Sequence, residues 1–129
     1  MAKKTLNIVE TAYRAVMEEQ DDTILWVLAA MQGAGADHTV VLRANAVSYA
    51  VAGQGAPGMS VGKWTQAQAP KMDRDVADLI EKRKMTVYVI AEDLARRGIQ
   101  KQELMSGIEL LPMSALSGLC EAHQVVSLW

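Results

Sequence analysis

Apolar positions along the chain alternate between short β-rich runs and stretches with helical spacing. The first run is Leu6-Asn7-Ile8-Val9. A polar stretch, Glu18-Glu19-Gln20-Asp21-Asp22-Thr23, then leads into Ile24, Leu25, Val27, Leu28 and Met31. Spacing of i, i+1, i+3, i+4 and i+7 puts these five on one helical face. Asp21 and Asp22 precede that helix, where carboxylates suit its first amides, and the acidic run reads as a solvated helix start. Gly33 and Gly35 end the helix. Thr39-Val40-Val41-Leu42 is apolar without alternation, which predicts a strand buried on both faces. Asn45 to Ala52 reads as a short helix. Residues 53–71 are rich in Gly, Pro, Gln and Ala and read as one long loop. Loops of that length in small domains are commonly functional, mobile or used in assembly.

Asp73 opens the next helix, with Met72, Val76, Leu79 and Ile80 on one side and Lys82, Arg83 and Lys84 at its C-terminal end. Met85 to Ile90 is the clearest strand. Glu92 to Arg97 reads as a short helix carrying an i, i+4 Glu92–Arg96 pair and stopped by Gly98. Gly107 to Leu111 is a fourth strand, ended by Pro112. Ser114 caps a helix to about His123, and Val125 to Trp129 is the last strand.

Strands alternating with helices predict a parallel sheet covered on both faces, an α/β fold. Five strands in one domain spanning residues 1–129 predict a flavodoxin-like, doubly wound sheet of order 2-1-3-4-5. Ligands of such sheets collect at the carboxyl ends of the strands. The candidate pocket residues there are Glu10 and Thr11, with Tyr13 beyond them, then Arg43 and Asn45, then Ile90 and Glu92. Glu10 and Arg43 either pair across neighbouring strand ends or face a ligand.

Composition narrows the chemistry. The chain has 129 residues and a formal net charge of −2, which disfavours nucleic-acid phosphates as partners. Half of it is hydrophobic and 22% is charged, a globular balance. A single cysteine excludes an internal disulfide and a cysteine-rich metal site. The apolar run near the start is too short for a secretion signal. No run approaches the roughly 20 apolar residues that span a membrane. These features predict a cytoplasmic protein without membrane or nucleic-acid partners. Met59, Val61, Trp64 and Met72 offer apolar surface in and beside the 53–71 loop, which predicts a homo-oligomer.

Individual motifs divide between bland and sharp readings. Gly53-Gln54-Gly55-Ala56-Pro57-Gly58 fits G-x-G-x-x-G but follows a helix, opens none and contains Pro57, so it reads as a loop. Cys120 shares an apolar helical face with Leu116 and Leu119, where cysteine is a small hydrophobe. The sharper alternative is a nucleophile assisted by His123 one turn away. His38 reads as a solvated residue before the second strand. Trp129 caps either the core or a neighbouring subunit. No zinc spacing is present, and no cofactor is implied.

The segment Val87-Tyr88-Val89-Ile90-Ala91-Glu92-Asp93-Leu94-Ala95-Arg96-Arg97-Gly98-Ile99 resembles the DsrE/DsrF/DsrH-like family of sulfur-relay proteins, which includes the TusB, TusC and TusD subunits. Gly107 to Leu111, a short helix, and His123 to Trp129 are similar to the carboxyl third of that family. The E-D-L-x-x-R-G piece, Glu92 to Gly98, and the terminal Trp129 are most similar to the DsrH/TusB branch. Leu42-Arg43-Ala44-Asn45-Ala46-Val47 sits where the family has its loop after the second strand. The resemblance implies one DsrE-like domain, a flavodoxin-like fold and assembly into trimers or hexamers. It also implies movement of sulfane sulfur between proteins as a cysteine persulfide. Active members carry that cysteine at the end of the third strand, and the matching position here is Ile90, which holds no persulfide. Some DsrH-like subunits carry a cysteine near the last strand, where this chain has His123 with Cys120 three residues earlier.

Three functions are compatible with these features. One is an accessory, structural or ligand-binding sulfur-relay homologue that works with sulfur-carrier proteins. The second is a sulfurtransferase or persulfide carrier using Cys120. The third is a small-molecule or nucleotide-binding protein on the same scaffold. Fold alone does not choose among them.

Overall fold

The computed structural model describes residues 2–12, 22–55, 57–67, 69 and 72–129. Tyr13 and the acidic residues Glu18, Glu19 and Asp21 lie outside the described residues. In chain order the elements are β1 (Lys4–Val9), α1 (Thr23–Gly33), β2 (Asp37–Leu42), a 3₁₀ segment (Ala44–Ala50), β3 (Ser60–Val61) and β4 (Trp64–Thr65). Then come α2 (Met72–Glu81), β5 (Thr86–Ile90), α3 (Ala91–Arg96), β6 (Glu109–Leu111), α4 (Leu116–Glu121) and β7 (Val125–Leu128).

Five strands form one sheet in the order β6-β5-β2-β1-β7, and every pairing is parallel. The α/β class and the five-stranded parallel sheet match the sequence reading. The strand order differs. Counting sheet strands along the chain, it runs 4-3-2-1-5, not 2-1-3-4-5. The reason lies in helix packing. Leu25 and Leu28 of α1 share one core cluster with Val76 and Leu79 of α2 and Leu94 of α3. Parallel crossovers are right-handed, so helices share a face only if successive strands step in one direction. β1, β2, β5 and β6 therefore step in one direction. The chain then reverses once, across the other face, to lay β7 beside β1. Strand composition carries no record of which neighbour each strand takes.

The two faces are covered unequally. On the first, Val9, Val40, Leu42, Val87 and Val89 pack beneath α1, α2, the 3₁₀ segment and Leu94. On the second, Leu6, Ile8, Val41, Ile90 and Leu111 pack beneath Met113, Leu116, Leu119 and Cys120. Each fully buried Val, Leu or Ile contributes about 1.5–3 kcal/mol relative to exposure.

Polar side chains fix how the layers meet. Asp22 is buried and caps α1, one carboxylate oxygen accepting the amides of Ile24 and Leu25 at 3.0 and 3.1 Å. The other oxygen accepts the Tyr49 hydroxyl at 2.6 Å, tying α1 to the 3₁₀ segment. At the far end of α1, the Arg83 guanidinium lies over Gly33, where a Cβ would stand 2.5 Å from its Nη1. Arg83 thus reaches across to α1.

His38 departs from the solvated residue expected from sequence. It lies within β2 and is buried. The Trp129 indole N–H donates to Asn7 Oδ1 at 3.2 Å. An indole N–H can only donate, which turns the Asn7 Nδ2 toward His38 Nδ1 at 2.8 Å. The His38 proton is thereby placed on Nε2, which is buried without a partner among the described residues. Burial pushes the His38 pKa below its ordinary value of 6.5, with the Asp37 carboxylate acting the other way. Lys4 is the β1 partner of Asp37, and α1 faces His38 with the neutral Gln32, which accepts its backbone N–H at 2.8 Å.

Smaller differences have local causes. The stretch read as a helix from Asn45 to Ala52 is a 3₁₀ segment ending at Ala50. Inside 53–71, read as one loop, β3 and β4 form a hairpin turned at Gly62, whose φ of 59° suits glycine. Ser114 does not cap a helix. Met113–Ala115 is a 3₁₀ turn that begins after Pro112, and α4 follows it.

Two stability predictions follow from these buried groups. Asp22→Ala removes the carboxylate that accepts from Ile24, Leu25 and Tyr49 and is expected to cost about 3 kcal/mol in urea unfolding, with Asp22→Asn costing less. The lowered pKa of His38 means that, below pH 6.5, the unfolded chain takes a proton that the folded chain resists. Stability is therefore expected to fall as pH drops from 6.5 toward 5, and His38→Gln to flatten that decline, as read by urea midpoints at each pH.

Candidate functional site

All five sheet strands are parallel, so their carboxyl ends share one edge. Glu10 leaves the end of β1 and Arg43 the end of β2, and they form an ion pair at 3.4 Å. Their backbones are linked as well, since Arg43 N–H donates to Val9 O and Ala46 N–H to Glu10 O. Arg43 is half-buried, and its Nε is a buried donor without a partner among the described residues.

The next residue, Ala44, has a φ of 50°. A left-handed conformation costs an L-residue about 1–2 kcal/mol. What holds it is Asp93, a buried carboxylate in the first turn of α3, which accepts the Ala44 amide at 2.8 Å. The other Asp93 oxygen takes Arg96 at 3.3 Å. The Asp93 carbonyl takes Arg97 Nη1 at 3.2 Å, and Arg97 Nη2 donates to Asn45 Oδ1 at 2.9 Å. Strain in a non-glycine backbone, stabilised by a buried charge at strand ends, is a pattern that recurs at functional sites.

A second feature lies between β5 and β6. After β5 the chain enters α3 on the first face, and after β6 it turns onto the second face with Met113. Connections that part in this way open a crevice at the carboxyl ends of the two strands. Here Glu92 occupies it, accepting the Met113 amide at 2.9 and 3.2 Å. Glu92 therefore does not pair with Arg96 as its spacing predicted. Asp93 takes that guanidinium.

Of the six strand-end residues singled out from sequence, Glu10, Arg43, Asn45 and Glu92 stand along this edge, and Thr11 is exposed beyond β1. Ile90 does not line open space. Its side chain is 0% exposed and packs in the second-face cluster. The sequence reading passed over Asp93, Arg97 and Ala44 as site residues. The signal for the first two was the i, i+4 spacing of Asp93 and Arg97 immediately after a strand. Nothing in the sequence marks Ala44 as left-handed.

Cys120 lies elsewhere. It is half-buried on α4, in the second-face cluster with Leu116 and Leu119. His123, just beyond, donates from Nδ1 to the Leu119 carbonyl at 2.7 Å and accepts at Nε2 from the Thr39 hydroxyl at 3.0 Å. Both ring nitrogens are engaged, so His123 is not free to take a proton from the thiol. Thr39 and the Lys4–Gln124 bonds place this end of α4 near the amino ends of β2 and β1. A cleft of about 350 Å³ opens between α1 and α2, beside Trp26, Asp75, Asp78 and Arg83. Its carboxylates are already engaged, Asp75 by the Asp22 amide and Asp78 by Lys82. Among the described residues no group of three His, Cys, Asp or Glu is placed to hold a metal. None of their helices is long and apolar enough to cross a membrane.

No protein-family model and no curated protein matches this sequence. Solved structures do match the fold. The YchN protein from E. coli superposes with a TM-score of 0.70 over 100% of both chains at 17% identity. A protein of unknown function from Methanobacterium thermoautotrophicum, MTH1491, superposes with a TM-score of 0.63 over 100% of both chains at 9% identity. The chain shares their α/β fold.

The Asp93–Ala44 contact makes a paired prediction. Asp93→Ala is expected to cost about 2–3 kcal/mol, because a strained amide loses its buried carboxylate. Ala44→Gly relieves the left-handed strain and is expected to leave stability level or raise it by up to about 1 kcal/mol. Combining the two changes should recover part of the Asp93→Ala loss in urea unfolding.

Proposed function

We propose that this protein is a DsrE-like sulfur-relay homologue that carries no sulfur of its own. It acts as an accessory, ligand-binding subunit of a cytoplasmic homo-oligomer, a trimer or hexamer, alongside sulfur-carrier proteins. The observation that carries this reading is Ile90. The resemblance puts the persulfide cysteine at this position, and here it is an alkyl side chain with no exposed surface. The fold likeness to YchN, a DsrE-like fold, supports the family at the level of architecture. The strand-end row supports binding rather than covalent chemistry. It offers the half-buried Arg43 guanidinium, paired with Glu10 at 3.4 Å. Exposed Val61 and Trp64 on the β3–β4 hairpin support assembly.

Transfer through Cys120 is disfavoured by its half-buried place on α4 and by the two hydrogen bonds that occupy His123. Native Cys120 is expected to react with iodoacetamide on the order of tenfold slower than the urea-unfolded chain. Treatment of the native protein with inorganic polysulfide should leave its intact mass unchanged. Labelling at the unfolded rate together with a gain of one sulfur atom would overturn the accessory reading in favour of a Cys120 carrier.

A further inference from the structure

The two edges of the sheet are built differently. β6 is three residues long, carries the exposed Glu109 and runs directly into Pro112. Shortness, charge and proline are the usual means by which an edge avoids pairing with another chain. β7, only one residue longer, has neither charge nor proline. No charged residue occurs from Gln124 to Trp129. Val125, Val126, Leu128 and Trp129 are all exposed, Leu128 at 69%.

Among the described residues, no strand pairs with the outer side of this edge. Trp129 N–H donates to Ile8 O, and Trp129 O accepts from Glu10 N–H, so this residue faces β1. Alternation along a parallel ladder turns Ser127 the same way and turns the amides and carbonyls of Val126 and Leu128 outward. Gln124 is drawn inward, its N–H on Lys4 O and its side chain on Lys4 N. The outward groups are therefore two N–H and C=O pairs, centred on Ser127.

We propose that β7 pairs antiparallel with β7 of a second copy of this chain, with the two-fold axis at Ser127. This assigns a specific interface to the assembly, on observations independent of the sulfur-relay reading. Only this register uses both outward residues of both copies. Val126 then lies opposite Leu128 of the second copy, and the reverse, giving four backbone hydrogen bonds across the axis. On one face Val126 covers Leu128, and on the other Trp129 covers Val125. Each exposed apolar side chain of β7 thus gains an apolar partner, and no like charges meet. A two-fold interface is self-complementary by symmetry, so one unpaired edge suffices for both copies. A hexamer accommodates this pair three times, whereas a bare trimer does not contain it.

Cysteine cross-linking in a Cys120→Ser background tests the register. Facing residues of a non-hydrogen-bonded antiparallel pair lie about 4.5 Å apart at Cα, within disulfide reach. Ser127→Cys is expected to form a covalent dimer with diamide, and Val126→Cys, whose partner is Leu128, to remain unlinked. Leu128→Lys buries a charge in the interface and is expected to weaken self-association on the order of a hundredfold in sedimentation, with unchanged far-UV circular dichroism. Absence of the Ser127→Cys link overturns the proposal, as does a folded Leu128→Lys variant that still assembles fully. If Leu128→Lys does not fold, the cross-link alone decides. An unlinked trimer would refute this interface and leave the accessory-subunit reading standing. A sulfur-loaded Cys120 would do the reverse.

Discussion

A parallel sheet has to be covered on both faces, because its strands are joined by crossovers and read as apolar on either side. This chain meets that requirement with one change of direction. Three crossovers in one sense place α1, α2, α3 and the 3₁₀ segment on the first face. A single return places α4 on the second. Other features follow from that asymmetry. The connections after β5 and β6 part to opposite faces, so the strand-end crevice falls there. The last strand joins the sheet beside β1, with only the six-residue α4 leading into it. Its apolar side chains outrun the helical cover available on that side.

Within this frame, a few buried polar groups decide how the pieces meet. Asp22 serves α1 and the 3₁₀ segment with one carboxylate. Asp93 does the same for the turn after β2 and for α3. Asn7 joins three adjacent strands through His38 and Trp129. Apolar packing alone tolerates small slides between layers, whereas each of these carboxylates or amides has partners on two elements at fixed distances. Their contribution is to geometry as much as to stability. The strand-end row inherits that rigidity, since Ala44 and Asn45 are both held against α3.

The apolar periodicities made the elements legible. Uninterrupted runs such as Thr39 to Leu42 and Met85 to Ile90 gave the central strands, and the stripe from Ile24 to Met31 gave α1. Strand neighbours were not legible, because helix–helix contacts decide them and neither helix names its partner in sequence. The burial of His38 is not legible in the sequence for a related reason. Its burial depends on Asn7 and Trp129, which are far away along the chain. At the strand ends, connectivity located Glu10, Arg43, Asn45 and Glu92. It could not show that Ile90 turns into the core. That follows from its alternation with Val89, which takes the other face.

The return crossover also sets an order of events. β1 and β7 are neighbours in the sheet, yet Lys4 and Gln124, which bond at their start, are 120 residues apart. Closing so long a loop is entropically costly and slow relative to the local β1–α1–β2 contacts. During synthesis, β1, β2, β5 and β6 all emerge before β7, and the four can pair without it. Until β7 arrives, the outer edge of β1 presents its own unpaired amides and carbonyls. The growing chain therefore carries a temporary sticky edge, and folding efficiency depends on how soon β7 covers it.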